Sequence, residues 1–444
     1  MISQNKLVRW VTKGGLAVVD QGLVTGSNFL VSILLARWLT VEQYGAYAVA
    51  FAVYLLVIML YQSLLLEPMA VYGPSAYRDR LRSYFKSLWS LHLAASLLIF
   101  LLCIVSAGIA FQRTPTSSLG GALVGIAVAA PLVLLSWLVK RAFYVQLSPG
   151  PPAAAAVVYC AVIIAGLALA HKYQLLSPFS ALLLMGIAAL VSAIPLAIYL
   201  MRGLPATAGP VSVPETWLRH WGYGRWALAS SALQWVPNSI FYPIVSSFSG
   251  MVAAGQLRAL MNFSSPVFQG YSALVSLLLP YAARIHHQEG SAGSGVLSRR
   301  ITGLFVSGAV VYWCVLLLFR APAFHALYSG KYSEVMYLLP IVALSSIFWS
   351  AFVGPATALR AMDSPATILV AVGIASVISA AVGVPATWAF GIKGALWAIT
   401  ISQALGFAAI HFLLRQKVQN AAPQPPLLNL RVTLEFPSDS GAND

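Results

Sequence analysis

What most constrains this chain is a run of about twenty apolar residues that recurs along nearly its whole length. A helix needs about 20 such residues to cross a bilayer. The runs at roughly 15–38, 44–66, 85–109, 120–140, 153–170, 178–201, 223–248, 254–283, 301–319, 337–358, 366–388 and 394–414 meet that requirement about twelve times. Backbone groups in lipid must bond within the protein, so only helices or a closed barrel can span. Barrel strands are short and alternate in polarity, whereas these runs are long and continuously apolar. Composition agrees: 59% of the 444 residues are hydrophobic and 8% are charged, against about a quarter charged in soluble domains. The fold class is therefore an all-α polytopic membrane protein.

The few charges are unevenly placed. With an even number of spans, both termini lie on one side. Nineteen of the 26 Lys and Arg fall on that side, among them Arg78, Arg80, Arg82, Lys86, Lys140, Arg141 and Arg202. The other side holds seven: Arg37, Arg113, Lys172, Arg258, Arg320, Lys331 and Lys393. Cytoplasmic loops collect Lys and Arg, so the richer side is expected to be the cytoplasm. Orientation thus explains most of the net charge of +15, and no nucleic-acid partner is needed.

The segment 202–222 is rich in breakers, with Gly203, Pro205, Gly209, Pro210 and Pro214. It reads as a cytoplasmic linker between an N-lobe, 15–201, and a C-lobe, 223–414. Residues 1–14 form a cytoplasmic N-terminus. Residues 415–444, with Pro423, Pro425, Pro426 and Pro437, read as a disordered tail. No cleavable signal is evident, because the first apolar run is too long and lacks a cleavage site. Cys103, Cys160 and Cys314 all fall inside spans and read as small packing residues. No metal or cofactor site is expected. The halves share a short repeat. Tyr44-Gly45 and Ser63-Leu64-Leu65-Leu66 with Pro68 mark the second span; Ala254-Gly255 and Ser276-Leu277-Leu278-Leu279-Pro280 mark the eighth. Two pseudo-symmetric six-helix lobes around a central cleft follow, an arrangement used by transporters that bind between repeats.

Polar side chains inside a membrane are costly and face protein or water, so their spacing reports on a cleft. The first span carries Gln21, Thr25, Asn28 and Ser32 on one helical face. The seventh carries Ser231, Gln234 and Asn238. The eighth carries Arg258, Asn262, Ser265, Gln269, Ser272 and Ser276 at alternating steps of four and three. Such stripes serve either helix packing or a hydrated cleft. Pro237, Pro243 and Pro266 favour the cleft, because they release backbone groups that water could satisfy. Arg258 either snorkels to the interface or faces the cleft, where a guanidinium matches phosphate. Arg37 closes the first span and is a weaker candidate of the same kind. Asp20 is the most deeply placed acid. It could serve a proton relay, bind Na⁺ or join a structural ion pair. Tyr47, Tyr54 and Tyr61 recur every seven residues and suit either packing or sugar stacking.

Enzyme chemistry finds little support. The outward loops offer only Glu42 and Glu334 as acids, no large outward loop exists, and no phosphate-binding Walker motif is present. Instead, Asp20-Gln21-Gly22, Gly26-Ser27-Asn28-Phe29, Leu35-Ala36-Arg37 and Tyr44-Gly45 resemble the opening of bacterial polysaccharide (O-antigen and exopolysaccharide) flippases. Leu327-Tyr328-Ser329-Gly330-Lys331-Tyr332 and Gly391-Ile392-Lys393-Gly394-Ala395 add to the likeness. These flippases belong to the multidrug/oligosaccharidyl-lipid/polysaccharide exporter superfamily. The resemblance implies alternating-access transfer of undecaprenyl-pyrophosphate-linked oligosaccharides from the inner to the outer leaflet. It also implies membrane lipids, a polysaccharide polymerase and its chain-length machinery as partners. It transfers no defined site. A cation-coupled multidrug exporter and a non-transporting scaffold of a synthesis complex remain the rival readings.

Overall fold

The computed structural model describes residues 4–204 and 209–420; the side chains of 4–14, Asn238, Ala273, Ser276 and Leu277 lie outside the described residues. Among the described residues every regular element is helical. The first six spans are α1 (Gln4–Trp38), α2 (Val41–Tyr61) with its continuation α3 (Glu67–Tyr72), α4 (Leu81–Arg113), α5 (Ser118–Val145), α6 (Gly150–Lys172) and α7 (Pro178–Gly203). The C-terminal half comprises α8 (Val213–Ser239), α9 (Phe241–Asn262), α10 (Ser265–Leu318), α11 (Arg320–Tyr328), α12 (Leu339–Ala361) and α13 (Pro365–Asn420). At 1.5 Å per residue, 56 residues of α13 would extend about 84 Å, far beyond a bilayer. The chain therefore folds back within these long stretches, at Gly250 (φ 83°), Gly290 (φ 66°) and Gly391 (φ 55°). Only glycine adopts such angles without strain. Ten helical stretches are long and apolar enough to cross a membrane; the turns at Gly250 and Gly391 each divide one of them in two, while the residues between Gly250 and Gly290 make a single crossing, so the chain makes twelve, as the apolar runs predict.

Within the N-lobe the spans pack through small residues, as membrane helices do where no hydrophobic drive separates protein from lipid. A Cβ placed on Gly186 would stand 2.8 Å from the Cα of Ala129, so the fourth and sixth spans touch almost backbone to backbone. Tyr47, Tyr54 and Tyr61 are buried in this lobe, which settles them as packing residues. Tyr61 bonds the buried His92 at 3.0 Å. Asp20 is buried against the fourth span; Lys140 Nζ donates to one carboxylate oxygen at 2.7 Å and Tyr144 to the other at 2.6 Å. Trp38 stacks on His171 at 4.4 Å.

The lobes meet in two places. At the end with few cations, the second and eighth spans cross at the repeated glycines. A Cβ on Gly45 would fall 1.8 Å from Met251 O, and one on Gly255 would fall 2.3 Å from Val41 O. The shared Tyr-Gly and Ala-Gly signatures therefore face each other across the pseudo-symmetry axis. At the basic end, the seventh span leans onto the N-lobe. Residues expected as linker from 213 onward are already helical there. Ser87 and Thr216 share a hydrogen bond at 2.8 Å, Ser63 and Ser231 one at 2.7 Å. Here two prolines have consequences. Pro68 has no N–H, so Leu64 O loses its helical donor and accepts from His220 Nδ1 at 3.0 Å. The other ring nitrogen of His220 accepts from Tyr84 at 2.7 Å. Pro237 likewise releases Leu233 O, and the hydroxyl of Ser376 takes it at 2.5 Å. A carbonyl that a hydrated cleft could have satisfied is bonded by a neighbouring span instead.

Candidate substrate cleft between the lobes

The eighth span is two helices, not one. Pro266 removes the donor that would reach back across the turn, and the helix breaks at Phe263 and Ser264. Tyr312 donates to Phe263 O at 2.8 Å and Ser346 to Ser264 Oγ at 2.8 Å, so the break is held rather than loose. It opens a cavity of about 340 Å³ between the lobes. The outer piece supplies Arg258 and Asn262, the inner piece Ser265, Phe268 and Gln269; the first span supplies Thr25, Asn28 and Ser32 across the gap. A second cavity of about 560 Å³ continues toward the basic end between the first and eighth spans. It shares Thr25, Phe29, Ser265 and Gln269 with the first and adds Gln21 and Ser272. Both polar stripes thus line one continuous opening.

Arg258 lies eight residues past the Gly250 turn, about 12 Å along the helix. Its guanidinium sits over the Phe51 ring at 5.0 Å and the Tyr242 ring at 5.5 Å. Its Nε has no hydrogen-bond partner. Among the described residues the ion pairs are Asp20–Lys140 and Glu215–Arg219, so no carboxylate neutralises Arg258, and no acid lines either cavity. Cation–π contact is worth about 2 kcal/mol when desolvated, well short of a buried counter-ion. The site is a cation held ready on two aromatic faces.

Above it the cleft is closed by a ring of hydrogen bonds. Tyr44 donates to Ser32 Oγ (2.8 Å), Ser32 to Asn262 Oδ1 (2.9 Å), and Asn262 Nδ2 back to Tyr44 (2.9 Å). The same amide reaches Tyr328 at 3.3 Å, and Tyr328 donates to Ala259 O at 2.9 Å. Asn262 therefore walls the cavity while its polar atoms lock the lobes together. Outside this ring the turn after α11 clasps the end of the first span. Lys331 Nζ donates to Arg37 O (2.6 Å) and Leu39 O (3.0 Å), and Tyr332 to Ala36 O (3.2 Å). These are the open carbonyls of a helix C-terminus, where a cation is favoured. Burial pushes the Lys331 ammonium below its usual pKa.

Of the residues singled out in sequence, Arg258, Asn262, Gln269, Asn28 and Gln21 come together along the cleft. Arg37 does not: it is exposed at the end of the first span and donates to Ala326 O at 3.3 Å. Gln234 lies outside both linings and bonds Ser230 O at 3.4 Å. The Asn238 side chain lies outside the described residues. Asp20 stands in its buried ion pair, away from both cavities. The cavity also recruits Phe51, Tyr242, Ser345 and Gln403, none of which belongs to the three stripes, although Tyr242 stands four residues past Asn238 and Gln403 three past Thr400.

Neither a protein-family model nor a curated protein matches this sequence. The fold, however, has solved counterparts in the MOP superfamily. An inward-facing multidrug resistance MATE family transporter superposes with a TM-score of 0.77 at 9% identity, covering 91% of this chain and 98% of that one. The lipid II flippase MurJ in an inward closed conformation gives 0.71 at 13% identity, covering 90% and 87%. An outward-facing MATE transporter gives 0.62 at 13%, covering 92% and 96%. At such identities the likeness is one of fold: the chain shares the helical architecture of these solved proteins.

Proposed function

We propose that this protein is a flippase. It moves undecaprenyl-pyrophosphate-linked oligosaccharide repeat units from the cytoplasmic to the periplasmic leaflet of a bacterial inner membrane, for polysaccharide biosynthesis. The observation that carries this reading is the unneutralised Arg258 at the head of a cavity lined by amides and aromatics. A guanidinium binds phosphate with paired, charge-assisted hydrogen bonds. Asn28, Gln269 and Gln403 can exchange hydrogen bonds with sugar hydroxyls, and Phe29, Phe51, Tyr242 and Phe268 offer apolar faces to sugar rings. The gap between the first and eighth spans would leave the prenyl chain in lipid while the headgroup enters. A pyrophosphate sugar cannot cross hydrocarbon unaided, because desolvating it costs too much.

Orientation rests on the charge bias, which puts the open end of the cleft and both termini in the cytoplasm. Alternating access would then break the Tyr44–Ser32–Asn262 ring and close the gap below. No bond is made or broken in the substrate, so the protein is not an enzyme; its product would pass to a polymerase and its chain-length machinery. Asp20 is the proposed ion-coupling residue. A proton or Na⁺ arriving there would release Lys140 and uncouple the first span from the fourth. A multidrug exporter of small amphiphilic drugs would share the fold, but a cleft with an unneutralised cation and no acid in its lining disfavours a cationic cargo.

Reconstitution tests the proposal. Liposomes containing the purified protein should expose a lipid-linked oligosaccharide to an external glycosidase faster than empty liposomes do, and cells depleted of the protein should lose that transfer. Undiminished transfer in depleted membranes, with drug efflux lost instead, would overturn it in favour of the exporter.

A further inference from the structure

We infer that the N-lobe carries a binding groove for an anionic phospholipid at its basic end, where the third, fourth and sixth spans meet. The groove encloses about 440 Å³, within the range of small-molecule sites. Its wall is almost wholly carbon, from Phe85, Trp89, Leu138 and Ile198, and its rim carries two cations, Lys86 and Arg202. Lys86 stands near the start of α4 and Arg202 near the end of α7. Both are exposed, and neither makes an ion pair among the described residues. No acid lines the groove.

Positive-inside placement alone does not account for this pairing. Some cations at the same end are engaged, Lys140 by Asp20, Arg219 by Glu215 and Lys417 by Ser364, whereas Arg299 and Arg300 are exposed but line neither the groove nor the inter-lobe cavities. Lys86 and Arg202 instead bracket an apolar slot, which is the complement of a phosphodiester with acyl chains beneath it. Basic pockets between membrane helices bind anionic headgroups in this way. Trp89 is half-exposed beside them, at the depth where indoles meet headgroups. Of all the described spans the third is the least covered by protein, so a bound lipid would brace it against the lobe. The groove shares no lining residue with the inter-lobe cavities. The inference therefore stands whatever the protein transports.

The test is native mass spectrometry of the full-length protein in mild detergent, with phosphatidylglycerol or phosphatidylcholine of equal chain length. Phosphatidylglycerol should be retained preferentially. Lys86→Gln and Arg202→Gln should each lower retention about fivefold, and the pair about thirtyfold. Arg299→Gln with Arg300→Gln, which removes two exposed cations from the C-lobe, should leave it unchanged. Ala197→Trp keeps both cations but fills the groove, and it should abolish the preference on its own. Equal retention of the two lipids, or an equal loss in the Arg299/Arg300 variant, would overturn the inference. So would displacement of phosphatidylglycerol by one equivalent of polyprenyl phosphate, which would assign the groove to cargo.

Discussion

At the scale of single residues, the chemistry of the cleft concentrates on Arg258. A cation resting on Phe51 and Tyr242 with no carboxylate in reach is costly unless something anionic visits it. Arg258→Ala should lower transport of the lipid-linked substrate by about tenfold or more, the worth of one charged hydrogen bond, at unchanged membrane abundance. Arg258→Lys should recover only part, since an ammonium lacks the paired donors. Transport assays normalised to immunoblots check both. Asp20 makes a second case. Breaking a buried ion pair by removing one partner costs about 3 kcal/mol, so Asp20→Asn alone should lower thermal stability in detergent. Adding Lys140→Gln removes the stranded charge and should restore folding. If coupling passes through Asp20, the restored double variant should transport without regard to an imposed ion gradient. Retained gradient dependence in that folded variant would remove Asp20 from the coupling scheme.

At the scale of elements, polar stripes were readable because a few amides and hydroxyls stand out against apolar helices, and steps of three and four put them on one face. Gln21, Asn28, Arg258 and Gln269 follow from that rule. Tyr242, Ser345 and Gln403 lie outside the three stripes, since the direction of a tyrosine, a serine or a single amide in an otherwise apolar span depends on how the helices pack. Arg37 and Lys331 show the same limit from the other side. Both read as cations of the outward side, yet only the folding of α11 and the turn after it brings Lys331 onto the carbonyls of the first span. The repeated glycines were visible as a motif, but their mutual contact was not. That contact makes a prediction. Gly45→Ala puts a methyl group where Met251 O already stands, so the closed outer seal should open. In an Asn28→Cys background, where the ring is left intact, it should raise labelling by a membrane-impermeant thiol reagent about tenfold, an energy shift of about 1.4 kcal/mol. Unchanged labelling would mean that the seal lies elsewhere.

For the molecule as a whole, the two flanks of the cleft differ. The seventh span is fastened to the N-lobe through Ser63, Tyr84 and Ser87, whereas the first and eighth spans stand apart at the same level. Rocking of the lobes should therefore open and close one flank and preserve the other. Ser63→Cys with Ser231→Cys should form a disulfide that leaves transport intact. Gln21→Cys with Ser272→Cys, bridged by a short bifunctional reagent, should block it. The reverse pattern in a transport assay would exclude this asymmetry.

The turn at Gly250 also bears on how the protein is made. It joins the seventh and eighth spans with almost no loop, and an apolar 18-residue segment of 213–262 reaches a mean hydropathy of only 1.3, against 2.3 to 2.6 for such segments of the second through sixth spans. A segment so poor in apolar residues, and carrying Arg258, gains little by entering lipid alone. With no loop to wait on the far side, the two spans must leave the translocon as a hairpin. By then the first six helices are already present to receive the polar faces. The order of the lobes along the chain is thus also an order of assembly, in which the N-lobe serves as the solvent for its partner.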